Sequence, residues 1–396
     1  MGKPLDGILV IDLSRVLAGP YCTMELADMG ATVVKIEIPG SGDDTRAYGP
    51  PFLHGESTYF MSVNRNKMSL TLNLKHTRGK GILRQLLQKG DVLVENFRPG
   101  TLDGLGFGYD AVHALNPKLI YCSISGFGQT GPYAQRPGYD LIAQAEGGVM
   151  SLTGAPDDPP LKVGLSFADI TAGMNAFSGI LLALLARQHT GEGQRVDVSL
   201  LDCQVALLTY QAGIYFATGK SPERLGNKHP SITPYETFEA SDGHIIIACG
   251  NQGFWEKFCK LAGLDHLLAD DRFTTMKKRV ENRHELTPLV AAGVKTRTRR
   301  EWYNLLEREG IPCGLIKNVA EVCSDPQVLA REMVIQLNHP TAGPISVNGV
   351  PIKLTATPGE VKDPPPLLGQ HTDTILADIL GYTADQIAEL RQLKAV

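Results

Sequence analysis

GILVIDLSRVLAGPYCTMELADMGATVVKIEI, residues 7–38, alternates between two periodicities. GILVIDL (7–13) and ATVVKIEI (31–38) are short, apolar and β-branched, as buried strands are. YCTMELADMG (21–30), between them, has helical spacing and ends on Gly30. Strand, helix, strand predicts a βαβ unit with parallel strands. The alternation continues outward. MSLTLNL (68–74), DVLVENF (91–97) and KLIYCSIS (118–125) read as strands, whereas RGKGILRQLLQKG (78–90) and a segment near 109–115 read as helices. Apolar strands alternating with helices predict an α/β fold with a large, doubly wound parallel sheet.

Further along, an apolar helix near 167–188 leads through the Gly-rich turn of TGEGQRVDVSLLD (190–202) into another strand. The uncharged run 170–186 contains Thr171, Asn175 and Ser178, which fits a core helix better than a membrane span. The texture changes near 225. GHIIIACGNQGFWEKFCKLAG (243–263) reads strand, loop, helix, followed by charged helical stretches. These shifts predict a large α/β domain over 1–224 and a smaller α+β domain over 225–330. Residues 331–396, Pro-rich and then helical, are expected to return to the large domain.

Several functions are disfavoured. The net charge is −4 and no Lys/Arg run forms a basic stripe, so nucleic acid is not an expected partner. Seven cysteines without a CxxC spacing predict reduced thiols in a cytoplasmic protein. No apolar leader is present, and no membrane attachment is expected. The ten histidines form no HxxH or HxxxH pair, so no metal site is expected. Neither a GxGxxG turn after the first strand nor a GxxxxGK[ST] loop occurs, which disfavours nicotinamide and nucleoside triphosphates.

In such a sheet, ligands bind past the carboxyl ends of the strands. There Asn96, Phe97 and Arg98 offer an amide, an aromatic face and a cation, although a packed Phe and a solvated Arg fit the same residues. Arg136 in QRPGYD is similar. The glycines of SGFGQTGPY (125–133) and CGNQG (249–253) allow backbone N–H groups to close around an anion, or simply form turns. Tyr139 and Asp140 precede a helix, so Asp140 reads as an N-terminal charge. His371 reads as part of the last helix's cap.

Asp169, in GLSFADITAGMNAF (164–177), stands alone among apolar residues and admits two readings. Ser166 followed by Asp169 is a capping-box spacing, ahead of a core stripe of Ile170, Met174, Phe177, Leu181 and Leu184. Equally, a carboxylate in the first helical turn, kept ionised by the dipole and without a nearby cation, is a nucleophile toward an activated acyl group.

Taken together, IDLSRVLAGPYCTMELADMGATVVKIE, NRNKMSLTLNLK, VENFRPGTLDGLG, GFGQTGPYAQRPGYDLIAQAEGG, GLSFADITAGMNA, GEGQRVDVSLLD and GIPCGLIKNVAEVCSDPQ resemble the class III CoA-transferases, in collinear order over nearly the whole chain. That family includes formyl-CoA transferase and carnitine CoA-transferase. The resemblance implies a large α/β domain built from both chain ends and two interlocked subunits. It implies that Asp169 is the nucleophile, working through a mixed anhydride and an aspartyl-CoA thioester. It also implies that CoA lies against Val16, Leu72, Asn73, Leu74, Lys75, Asn96, Phe97, Arg98, Arg136, Pro137, Gly138 and Tyr139. Gly250, Asn251, Gln252 and Gly253 would supply oxyanion donors. The formyl-CoA transferase branch has a glycine run where this chain has CGNQG, a basic residue at Gly104 and a Gln at Leu17. These departures disfavour formyl-CoA and oxalate as substrates; a different small or dicarboxylic acyl group is expected, such as a succinyl-CoA donor with a dicarboxylate acceptor. An acyl-CoA racemase of the same fold would want a His where Tyr139 stands, since tyrosine is a poor base at neutral pH. A CoA-binding scaffold without turnover is the remaining alternative.

Overall fold

The structure, a computed structural model, describes residues 2–396. It divides into two compact units. Met1–Val149, Lys162–Gly213 and Pro326–Val396 form the first; Met150–Leu161 and Ile214–Asp325 form the second.

The first unit contains a six-stranded sheet: β1 (Leu9–Asp12), β2 (Thr32–Glu37), β3 (Lys67–Thr71), β4 (Val92–Glu95), β5 (Ile120–Ser125) and β6 (Arg195–Ser199). All neighbours are parallel and the order is β3-β2-β1-β4-β5-β6. The expected doubly wound α/β sheet is therefore present. Its helices are α1 (Ala18–Asp28), α2 (Thr77–Lys89), α3 (Tyr109–Leu115), α4 (Asp140–Glu146), α5 (Phe167–Thr190) and α6 (Leu200–Leu207).

Alternate strand residues enter two different cores, which is why the strands read as continuous apolar runs. Val10, Val33, Val92, Val94 and Cys122 pack against α1 and α5. Ile11, Val34, Leu93 and Tyr121 pack against α2, Val112 of α3 and the C-terminal residues Ile375, Leu376, Ile387 and Leu390. The chain's end is also tied by its backbone, since Asn73 N donates to Ala395 O at 2.9 Å.

The buried stripe of α5 differs from the sequence expectation. Ala168, Ala172, Ala176, Phe177, Ile180, Ala183 and Leu184 are buried, whereas Met174 is exposed. Small residues face α1 because the helices approach closely: a Cβ on Gly173 would lie 2.7 Å from Ala18 O. The tail differs as well. Thr372–Thr374 and a π-helical turn, Ile375–Ile379, precede a separate helix, Ala384–Gln392. His371 does not cap by its side chain; its Nδ1 accepts from Ser69 N at 3.2 Å.

The second unit is built on an antiparallel sheet of β7 (Tyr235–Ala240), β8 (Gly243–Ala248) and β9 (Cys313–Leu315), with β8 central. Its core packs Trp255, Phe258, Phe273 and Trp302. Arg279, fully buried there, stacks on Trp255 and donates to Thr233 O, Phe273 O and Gln252 Oε1.

Charged residues sit inside the large sheet. Lys35 of β2 is fully buried, with Nζ 2.8 Å from Asp43 Oδ2 and donating to Ser14 O at 3.0 Å. Lys67 of β3 lies 3.3 Å from Asp12 Oδ2 and donates to Pro20 O and Asn64 Oδ1, both at 2.8 Å. Burial alone would lower the Lys35 ammonium, but Asp12, Asp43 and Glu37 hold it above its usual value. Burial likewise opposes ionisation of Asp43, yet Lys35 and the Thr45 donors bring that carboxyl down to about 2. Removing one partner leaves an uncompensated buried charge, so Lys35→Met should destabilise the protein by roughly 3–5 kcal/mol. Urea denaturation followed by circular dichroism checks this; a loss under about 1 kcal/mol, the size of an exposed pair's effect, would contradict it.

Candidate active site

The strand order reverses between β1 and β4, and loops leaving the carboxyl ends there diverge and leave a crevice. A cavity of about 380 Å3 opens at this point. Arg15, Val16, Leu17 and Ala18 line it after β1, Asn96, Phe97, Arg98 and Thr101 after β4, and Gly126 after β5; Asp44, Pro137, Gly138, Tyr139 and Asp169 are also in the wall.

The β1 loop is pinned on both sides. Asn96 Oδ1 accepts from Arg15 N at 2.8 Å and its Nδ2 donates to Arg15 O at 2.7 Å. Asn96 thus braces the loop with both ends of its amide. Val16 N donates to Asp43 Oδ1 at 3.3 Å, and Val16 has φ of 68°, a left-handed conformation that β-branched residues rarely adopt. Such strain persists where neighbours over-determine it. The Arg15 guanidinium lies 5.0 Å from the Phe97 ring centroid. Gly126 and Gly138 touch backbone to backbone, because a Cβ on Gly138 would fall 2.4 Å from Gly126 Cα.

Asp169 is in the first turn of α5 and half-buried. The capping box expected from Ser166 does not form, because Ser166 makes no side-chain cap. Asp140 caps α5 from outside, its Oδ1 accepting from Ala168 N at 2.8 Å and Asp169 N at 3.4 Å. Gln144, fully buried, donates to Asp140 Oδ2 at 2.8 Å and accepts from Val163 N at 2.9 Å, which fixes the approach to the helix. Asp140 is therefore more than a charge at its own helix start. It frees the Asp169 carboxylate from capping and leaves it facing the cavity. Burial, aided by the charge of Asp140, pushes the Asp169 carboxyl up to about 7. The helix dipole favours ionisation, as expected, but burial and Asp140 outweigh it.

Of the residues expected to hold CoA, Val16, Asn96, Phe97, Arg98, Pro137, Gly138 and Tyr139 share the cavity with Asp169. Leu72, Asn73, Leu74 and Lys75 follow the carboxyl end of β3 and do not line it; the Leu72 side chain is buried in the core. Arg136 is outside the cavity lining and pairs with Glu146, its guanidinium 4.7 Å from the Phe127 ring centroid. In the 126–133 loop, Gly128 N donates to Ser125 Oγ and Gln129 N to Asp197 Oδ2, so these amides are already engaged. Gly250, Asn251, Gln252 and Gly253 belong to the second unit. There Asn251 caps α7 (Gln252–Ala262) by accepting from Phe254 N at 2.9 Å. Sequence reasoning missed Arg15, Tyr59 and Asp140's capping role. The signals available were an Arg in the loop after the first strand and an acid two residues after Gly138.

The chain matches the description "CoA-transferase family III" over residues 5–372. It is 44% identical over 388 residues to the succinyl-CoA:glutarate CoA-transferase of Mus musculus, covering 98% of this chain and 89% of that one. It is 42% identical to the succinate–glutarate CoA-transferase of Agrobacterium fabrum, covering 95% and 96%. A CAIB/BAIF family protein from Brucella suis superposes with a TM-score of 0.86 at 43% identity, covering 96% of this chain and all of that one.

The Asp169 titration is open to a direct measurement. A carbodiimide couples to protonated carboxyls, so labelling of the Asp169 peptide should fall as pH rises through about 7. Asp140→Asn keeps an acceptor for the Ala168 N–H but removes the charge. It should move the labelling midpoint to lower pH, as read by mass spectrometry; an unmoved midpoint would assign the shift to burial alone.

Proposed function

The chain belongs to CoA-transferase family III, and from that premise we propose that Asp169 carries CoA between acyl groups as a covalent aspartyl thioester. The observation carrying this reading is a single carboxylate, with no ion-pair partner among the described residues, facing the cavity at the sheet's reversal point. Asp169 attacks the carbonyl of the donor thioester, and the C–S bond breaks to give a mixed anhydride and CoA thiolate. The thiolate attacks the Asp169 carbonyl of that anhydride, giving aspartyl-CoA and releasing the donor acid. The acceptor carboxylate then attacks aspartyl-CoA and displaces thiolate, which in turn attacks the acceptor's acyl carbon and frees Asp169. Each nucleophile is already an anion, so no step requires a general base.

The relatives named for succinyl-CoA and glutarate support a succinyl-CoA donor and a short dicarboxylate acceptor for this chain. CoA is placed along Val16, Asn96–Arg98 and Pro137–Tyr139, with Leu72–Lys75 and Arg136 farther out. Backbone N–H donors are proposed to stabilise the oxyanions; losing one such donor typically lowers rate roughly 10²–10³-fold.

A second copy of this chain is proposed to cover the outer face of α5 and α6. Met174, Leu182, Leu185, Val205 and Leu207 are exposed there, with Leu182 67% and Leu185 54% accessible. The opposite face of α5 is built into the sheet core, so one helix would join core and interface, as interlocked subunits require.

Three outcomes follow. After incubation with succinyl-CoA, the Asp169 peptide should carry a CoA adduct that hydroxylamine removes, and Asp169→Ala should fold yet lose transfer. Because the reactive form is ionised, kcat/KM for the acyl-CoA should fall below about pH 7 and level off above it. Leu182→Glu with Leu185→Glu should elute as a monomer on size-exclusion chromatography with light scattering. A variant that stays dimeric but no longer binds anionic lipid vesicles would assign the face to a membrane.

A further inference from the structure

We propose that Arg15 selects dicarboxylic substrates by holding the far carboxylate while Asp169 reacts at the other end. This rests on the dicarboxylate reading above and adds the residue that would enforce it.

A second carboxylate brought into a cavity of about 380 Å3 loses water and needs a cation. Two cations line that cavity, Arg15 and Arg98. Arg98 also borders a separate polar pocket with Glu95, Asp103 and Arg195, so it looks away from Asp169 as well as toward the cavity. Arg15 is the better placed of the two. Its backbone N–H and C=O are both held by Asn96, and its guanidinium rests near the Phe97 face. Its own anionic partner is weakly held: Nη1 is 3.5 Å from Asp44 Oδ2, and both side chains are more than a third exposed. An exposed pair of this kind contributes little, so an incoming carboxylate can replace Asp44 and take the guanidinium in two parallel hydrogen bonds.

Tyr59 packs in the small apolar cluster of Leu17, Met24 and Val63, which Val16 and Ile170 also join. Tyr59 and Tyr48 meet edge to face with centroids 5.5 Å apart. Tyr59 lies in the field of Asp169, which together with burial pushes its hydroxyl up to about 12. Tyr48, at the other side, lies in the field of Asp44 and Arg15. Tyr59 thus joins the β1 loop to the start of α5, beside the residues that carry Arg15 and Asp169. The other nearby guanidinium groups are engaged elsewhere: Arg46 with Glu37, Arg65 with Asp28 and Arg136 with Glu146.

The test uses the intact enzyme with succinyl-CoA as donor and either glutarate or pentanoate as acceptor. In a double-displacement reaction, kcat/KM for the acceptor reports only the second half-reaction, so any effect on the donor cancels. Losing a charge-assisted contact should lower the glutarate-to-pentanoate ratio of kcat/KM roughly 10- to 100-fold in Arg15→Gln. The calorimetric Kd for CoA should not change. Arg15→Lys should restore part of the ratio, since a point charge cannot make the paired contact. Asp44→Asn frees the guanidinium and should lower KM for glutarate, a gain that misfolding cannot imitate. Equal losses for both acceptors with weakened CoA binding would make Arg15 a phosphate holder and overturn the assignment. An unchanged ratio overturns it too. A wild-type enzyme that does not prefer glutarate would instead sink the dicarboxylate reading, and the assignment with it.

Discussion

Lys35 is the contact on which the site's geometry depends. Its ammonium, enclosed in the sheet, holds Asp43 at 2.8 Å and the Ser14 carbonyl at 3.0 Å. Asp43 in turn accepts from Val16 N and from both donors of Thr45. The β1 loop is thus fixed from below by buried charge and from the side by Asn96, which is how Val16 is kept at a φ of 68°. Buried ion pairs are seldom net stabilisers, because desolvation offsets most of the Coulomb gain. Here the benefit is positional: a hydrophobic replacement would fill the space but not specify where Arg15 and Val16 stand.

Two opposing fields act on Asp169. The α5 N-terminus favours the anion by about 0.3–1 kcal/mol, and more only where partly buried. Burial and Asp140 favour the neutral form and prevail, leaving the carboxyl at about 7. For a nucleophile this balance is useful. A carboxylate of raised basicity attacks more readily, yet half of it remains ionised at neutral pH. Asp140 supplies both sides of the arrangement, capping the helix that carries Asp169 while repelling its charge.

The parallel sheet was legible because its strands alternate between two apolar cores, and runs such as DVLVENF advertise that. The site was legible only in outline. The isolated acid in GLSFADITAG pointed to Asp169, and the loops after β1 and β4 pointed to the crevice. The capping partner was not legible, since local spacing offers Ser166 and only the tertiary approach of α4 brings in Asp140. The same holds for the brace by Asn96, whose amide meets the Arg15 backbone, distant in sequence. Lys35 within VVKIE and Asp12 within VIDL did carry a signal, a charge inside a strand buried on both faces. Such a charge must find its partner in the fold, although the sequence does not say which.

The distribution of cations follows from the chemistry. A guanidinium paired directly with Asp169 would hold it ionised but lower its basicity, and its nucleophilicity with it. The neighbouring arginines are bound to Glu37, Asp28 and Glu146 instead. A dicarboxylate nonetheless brings a charge that needs neutralising within the same cavity. Both demands are met if the Arg15 guanidinium, only loosely paired with Asp44, stands within reach of the far carboxylate but not of Asp169. The brace on the loop after β1, both ends of the Asn96 amide on the Arg15 backbone, fixes where that guanidinium starts from.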